Sequence, residues 1–280
     1  MIIWLASYPK SGNTWVRIFL NSLIFSKKNL IDINKINIRL FPIRNDFNYL
    51  NEDIDKLEVF VKNCLDTQFR INLDNKIKIF KTHNAFWKSG DYCFTDKQNT
   101  IAIIYIVRDP RNVITSIKNH FSHENYEESL DFILDEKKIV GFKKDNKKLQ
   151  IDLPTVISSW KNHFNSWKKL NSKYLLIKYE NLLINPINEF TKITKFIEEI
   201  YRIKFGEKKI LETIESCKFQ NLQKQENLNG FTEATYNKFG KPINFFNLGP
   251  ENNWEKLLDE NIRKKIENKF ENEMKELKYL

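Results

Sequence analysis

The run Ser7-Tyr8-Pro9-Lys10-Ser11-Gly12-Asn13-Thr14-Trp15 gathers the residue types that hold an anion. It follows a short apolar run, Ile2 to Ala6, with the pattern of a buried strand. It leads into 13–25, which has the pattern of an amphipathic helix. A strand that turns through lysine, serine and glycine into a helix is a phosphate cradle. The helix N-terminus offers unpaired N–H groups and a partial positive charge. Lys10 adds a full charge, and Gly12 lets the backbone approach an anion closely. The run is not a Walker A loop, which needs its lysine after the second glycine of G-x-x-x-x-G-K-[ST]. Here Lys10 precedes Gly12.

Further along, Lys81-Thr82-His83 places an imidazole just after a second apolar run. A histidine there, in a basic cleft, is a candidate general base, and neighbouring lysines favour its neutral form. His120, His123 and His163 lie in or just after helical patterns in polar settings and read as surface histidines. Arg108-Asp109-Pro110-Arg111 closes a third apolar run, with Asp109 and Pro110 suited to open a helix. Tyr179-Glu180-Asn181 closes a fourth.

The elements that must position these groups follow from periodicity. Ile2–Ala6, Ile77–Lys81, Ile101–Val107 and Tyr174–Tyr179 read as buried strands. Helices are expected at about 13–25, 53–70, 111–121, 126–138, 154–170, 187–200, 207–216 and 258–276. The alternation predicts an α/β fold with a parallel sheet covered on both faces. Right-handed crossovers then bring all the polar strand ends to one edge, where open sheets bind ligands. Stretches 27–52 and 140–152 are polar and irregular. Stretch 218–257 has little periodicity and reads as a lid or binding segment.

Composition narrows the partners. The net charge of +10 suits a polyanionic cosubstrate, an acidic acceptor or nucleic acid. The cations are scattered among 36 acids, and the densest cluster (Lys143, Lys144, Lys147, Lys148) reads as a solvated linker, so nucleic acid is not expected. Cys64, Cys93 and Cys217 form neither a disulfide framework nor a C-x-x-C pair, which suits a reducing compartment. No signal peptide, anchor or membrane span is read, so a cytoplasmic protein is expected.

The first loop resembles the nucleotide loop of cytosolic-type sulfotransferases, which use 3′-phosphoadenosine 5′-phosphosulfate (PAPS) and carry a Tyr-Pro-Lys-Ser-Gly-Thr-Thr-Trp-like run. Their Lys-Thr-His run matches Lys81-Thr82-His83, and their second nucleotide motif matches Tyr105 to Ser116. The resemblance covers residues 2 to about 257. It implies a P-loop-like three-layer α/β/α fold in one domain, 1–280. It implies transfer of a sulfuryl group to a hydroxyl or amine of a small-molecule or glycan acceptor. His83 would be the base, Lys10 would neutralise the leaving phosphate oxygen, and Lys81 would steady the transferring group. Lys10, Ser11, Gly12, Asn13 and Thr14 would hold the 5′-phosphate, and Arg108 with Ser116 the 3′-phosphate. Trp15 and Phe219 would sandwich the adenine, with Tyr179 touching it; Phe219 and Tyr179 also fit plain core packing. The scheme requires no metal.

One motif departs from the family. Its C-terminal Arg-Lys-Gly-x-x-Gly-Asp-Trp, which grips the 3′-phosphate, becomes Asn247-Leu248-Gly249-Pro250-Glu251-Asn252-Asn253-Trp254. Two cations are gone, and Lys238 or Lys241 are the candidates to replace them. The family's dimer motif is also absent over Glu255 to Lys264, which leaves the oligomeric state open. The rival readings are a P-loop-type kinase, a nucleic-acid binder, and a homologue that binds PAPS without transferring from it.

Overall fold

The structure is a computed structural model that describes residues 1–26, 31–141, 153–236 and 240–280. Its centre is a parallel sheet of four strands: β1 (Ile2–Ser7), β2 (Lys78–Thr82), β3 (Thr100–Val107) and β4 (Lys173–Lys178). In space the order is β2-β1-β3-β4. The register sets Ile3 beside Ile79 on one side and Ala102 on the other.

Both faces of the central strands β1 and β3 are buried, which is why their sequences are continuously apolar rather than alternating, while the edge strands β2 and β4 carry half-buried or exposed lysines. Ile3, Leu5, Ile104 and Ile106 face one core, with α1 (Asn13–Phe25) packed on them through Val16, Phe19 and Leu20. Trp4, Ala6, Ile103 and Tyr105 face the other, under α2 (Leu57–Asn72), α3 (Pro110–Phe121), α4 (Tyr126–Leu134) and α5 (Trp160–Trp167). The first layer is completed by α6 (Tyr179–Ile184), α7 (Pro186–Tyr201), α8 (Glu207–Ser216) and α9 (Phe219–Asn229). The short α10 (Trp254–Leu257) docks on α3 through Trp254, and the second layer gains α11 (Glu260–Lys269) and α12 (Glu271–Glu276). The architecture is the expected three-layer α/β/α fold with a P-loop-like start.

Several boundaries differ from the periodicity. The helix expected over 154–170 is shorter, because Thr155–Val156 pairs antiparallel with Ile139–Val140 and α5 starts only after the Ser159 cap. The helix expected to run to 138 stops at Leu134. The C-terminal helix breaks at Phe270, whose ring packs on Trp160 at 5.1 Å. Tyr179 opens α6 instead of ending β4. The segment without clear periodicity contains α9, a largely exposed helix with few apolar positions to mark it.

Candidate active site

Strand order creates the site. Chain connections leave β1 toward β2 and leave β3 toward β4, in opposite directions, so a crevice opens between the ends of β1 and β3. A cavity of about 410 Å³ lies there. It is lined by Lys10 after β1, Lys81 and His83 at the end of β2, Arg108 after β3 and Tyr179 after β4.

The β1–α1 loop is shaped by two left-handed residues, Lys10 (φ 65°) and Gly12 (φ 97°). A Cβ on Gly12 would lie 2.4 Å from the Tyr179 ring, so only glycine leaves that ring in place. The Asn13 side chain donates to the Leu5 carbonyl (3.0 Å) and to the Ser7 hydroxyl (3.2 Å), tying helix to strand. The Ser11 hydroxyl is buried without a partner among the described residues.

Opposite the loop, Arg108 donates through Nη1 to the Lys10 carbonyl (3.0 Å) and to Ser116 Oγ (3.1 Å). Its guanidinium stacks on Tyr179 at 4.2 Å, and its buried Nε has no partner among the described residues. Asn252 also donates to Ser116 Oγ (3.1 Å) and accepts from the Thr115 hydroxyl (2.6 Å). Ser116 thus accepts twice and keeps its own proton to give. Asn252 escaped the sequence reading of individual ligands, although it lies inside the C-terminal motif whose Gly249-to-Trp254 spacing is retained.

His83 Nδ1 lies 2.9 Å from the Ser7 carbonyl, which can only accept, so the proton sits on Nδ1 and Nε2 carries the lone pair. A second histidine fixes the backbone there. The Tyr105 hydroxyl donates to His163 Nδ1 (2.7 Å), and His163 Nε2–H donates to the His83 carbonyl (3.1 Å). Burial, reinforced by Lys81, lowers His83 to about 3 and leaves it neutral at physiological pH. His163 and His120 are not surface residues: both are buried, which lowers them to about 3 and about 2. His123 is half-buried and bonds Ser129 Oγ at 2.9 Å. His120 Nδ1 lies 3.4 Å from Lys10 Nζ, which also sits 4.1 Å over the Phe245 ring. Burial, with Arg108 and Lys81 nearby, brings Lys10 down to about 7.

A carboxylate enters from the poorly periodic segment. Glu233 pairs with Arg17 and accepts from Lys81 Nζ at 3.2 Å. Burial would raise its pKa, but Lys81 and Arg17 hold it down at about 2. Among the described residues, Lys10 and Arg108 are the cavity cations with no ion pair; Arg39 is held by Asp46 at 2.6 Å.

Every residue expected at the site lines this cavity except Ser11, a loop residue whose side chain is fully buried. Trp15 is seated edge-on against Tyr179 (5.9 Å) and Phe190 (5.7 Å), with its indole N–H on the Cys217 carbonyl (2.7 Å). Phe219 closes on Gly249 so tightly that a Cβ there would lie 2.3 Å from its ring. Asn247 and Leu248 are exposed residues of the lining, and the Asn247 carbonyl accepts from Gln223 at 3.0 Å. Lys241 is exposed and does not line the cavity. Lys238 and the 143–148 lysine cluster fall outside the described residues. Among the described residues, no group of three or more His, Cys, Asp or Glu side chains is placed to hold a metal ion, and no helix is long and apolar enough to cross a membrane.

A parallel sheet whose switch point carries a strand–loop–helix turn and, among the described residues, two cations without an ion pair defines a P-loop-like α/β protein with a basic cleft. The Sulfotransferase domain family model matches residues 2–278, and the chain belongs to that family. It is 23% identical to flavonol 3-sulfotransferase of Flaveria bidentis over 270 residues, which cover 95% of this chain and 79% of that protein. It is 23% identical to human sulfotransferase 1E1, covering 97% and 83% of the two chains. Among solved structures it is similar to mouse sulfotransferase SULT7A1 complexed with PAP (TM-score 0.58, 20% identity, 98% of this chain and 83% of that one). Retinol dehydratase in complex with androsterone and inactive cofactor PAP superposes with a TM-score of 0.56 at 17% identity, over 98% of this chain and 80% of that one.

Proposed function

We propose that this protein transfers the sulfuryl group of PAPS to a hydroxyl of a small-molecule acceptor. The observation that carries the reading is the cleft's pair of uncompensated cations, Lys10 and Arg108, on either side of the switch point and opposite a neutral His83. An orphaned group fits the donor: the buried Arg108 Nε, on a residue that lines the cavity, has no partner among the described residues and suits a phosphate oxygen. Bound there, PAPS supplies the sulfuryl group and an adenosine bisphosphate leaving group.

The chain's own residues divide the work. The loop amides from Ser11 to Thr14 and the α1 N-terminus hold one phosphate, with Lys10 countering the charge that builds on it. Arg108 and the Ser116 proton hold the other, and Asn252 keeps Ser116 turned toward it. Trp15, Tyr179 and Phe219 offer aromatic surface to the adenine. His83 Nε2 takes the acceptor proton, aligned by its Nδ1–H bond to Ser7 and by the His163–Tyr105 relay behind its carbonyl. Lys81 faces the transferring group. The remaining wall, with Ile33, Ile36, Ile38, Leu40 and Ile43, gives the acceptor an apolar seat. The same reading takes the chain as one domain working in the cytoplasm, in keeping with three free cysteines.

A melting screen with PAPS, 3′,5′-diphosphoadenosine and ATP tests the proposal, followed by mass spectrometry of candidate acceptors. The first two ligands should raise Tm, by about 2.7 kcal/mol of stabilisation at a hundredfold excess over Kd. A response to Mg-ATP alone would favour a kinase instead.

A further inference from the structure

We propose that Glu233 is a positioning residue for this reaction: its carboxylate, carried in by the 231–236 segment, anchors Lys81 to Arg17 of α1 and holds the lysine beside His83. The inference rests on the sulfotransferase reading above. Its basis is a three-point clamp. Glu233 Oε1 pairs with the Arg17 guanidinium, while Oε2 accepts from Lys81 Nζ (3.2 Å) and from the Thr14 hydroxyl (3.5 Å). Arg17 is 3% exposed and lies one helical turn beyond the phosphate loop. The clamp therefore links the anion cradle, the β2 end and the segment over the cavity.

Lys81 depends on it. Its side chain is 12% exposed, and among the described residues Glu233 is the one group its ammonium bonds. The charged and titratable groups around it are Arg17 from α1, Lys10 from the loop, His83 after its own strand, His120 from α3 and Glu233. Glu233 is the single anion in that set. Asp46 is taken up by Arg39, and Glu226 accepts the N–H groups of Phe245 and Phe246. Burial favours the neutral amine, and Glu233 opposes it. Without the carboxylate, Lys81 would be a buried cation among cations, free to swing away or lose its proton.

Lysine labelled with ¹³C at the ε-carbon allows Lys81 to be titrated by NMR in the full chain, its signal assigned by its loss in Lys81→Arg. Glu233→Gln should move the Lys81 midpoint down by about one pH unit or more. Arg17→Met, which removes a cation and leaves the Glu233–Lys81 pair, should move it up. A generic loss of stability gives no such opposition of sign, and either variant decides the matter if the other fails to fold. An unmoved midpoint, or shifts of the same sign, overturns the proposal. In turnover, the basic limb of the rate against pH should fall at lower pH in Glu233→Gln; a profile overlaying the wild type also overturns it. Wild-type protein that neither binds 3′,5′-diphosphoadenosine nor consumes PAPS would instead sink the transferase reading, and the Lys81 titration would still be readable.

Discussion

Lys10 shows how function and stability pull apart at a single residue. Its side chain is half-buried, has a ring and a neutral imidazole as neighbours, and feels Arg108 and Lys81 more strongly than Glu226 and Glu233. A half-buried cation without a paired carboxylate costs stability, which an anion bound there would return. Lys10→Met is therefore expected to raise the urea midpoint while cutting kcat by about 10²–10³-fold. A destabilised variant would mean that the native ammonium is already satisfied. His83 presents the complementary case: it contributes a lone pair and no charge. His83→Ala should lower turnover by about 10²–10⁴-fold with nucleotide binding retained in calorimetry. Turnover at the wild-type rate would remove it as base.

At the scale of elements, the C-terminal segment is held by contacts that bypass its missing cations. Asn252 reaches Ser116 and Thr115, and the Trp254 N–H donates to Asn112 Oδ1 at 3.0 Å, under a guanidinium of Arg111 stacked 3.9 Å from the indole. The segment is thus docked on α3 through amides and a ring, and its cavity side is open to a restored charge. Asn247→Arg should tighten 3′,5′-diphosphoadenosine, by about 1–3 kcal/mol for one charge-assisted bond. Unchanged affinity in calorimetry would place the phosphate away from this segment. Gly249 is the hinge of the same element. Its φ of 50° and the Phe219 ring both exclude a side chain, so Gly249→Ala should displace Phe219 and weaken nucleotide binding.

For the whole molecule, three neutral histidines in or beside the core set the acid response. His83, His120 and His163 titrate at about 3, about 2 and about 3 when folded, against about 6.5 unfolded. Below about pH 6.5 the unfolded chain binds protons that the native state refuses, so the unfolded side gains as pH falls. Their contribution to stability is intact above that pH and declines toward pH 3, by up to about 1.4 kcal/mol per pH unit for each histidine. Glu233, held at about 2, adds a loss only below its unfolded value near 4.3. Urea midpoints should fall on acidification from about pH 6.5, and His163→Gln should flatten that slope by about a third. A slope unaffected by the substitution would mean His163 is protonated in the native state.

The sequence alone determined the parts whose chemistry is local. Continuous apolar runs specify the central strands, buried on both faces, and the strand–Lys10–Gly12–helix order specifies a tight strand–loop–helix turn, because these depend on neighbours within a few residues. The polar strand ends, Lys81 to His83 and Arg108 to Arg111, could be assigned to one edge because parallel crossovers have one hand. Tertiary structure alone decided what distance in sequence conceals. His163 reads as a polar helix residue until Tyr105 and the His83 carbonyl enclose it. Asn252 becomes a partner of Ser116, 136 residues away, and Glu233 joins Lys81 and Arg17 across 152 and 216 residues. Burial and charge pairing arise from the whole packed arrangement, so no local pattern in the chain announces them.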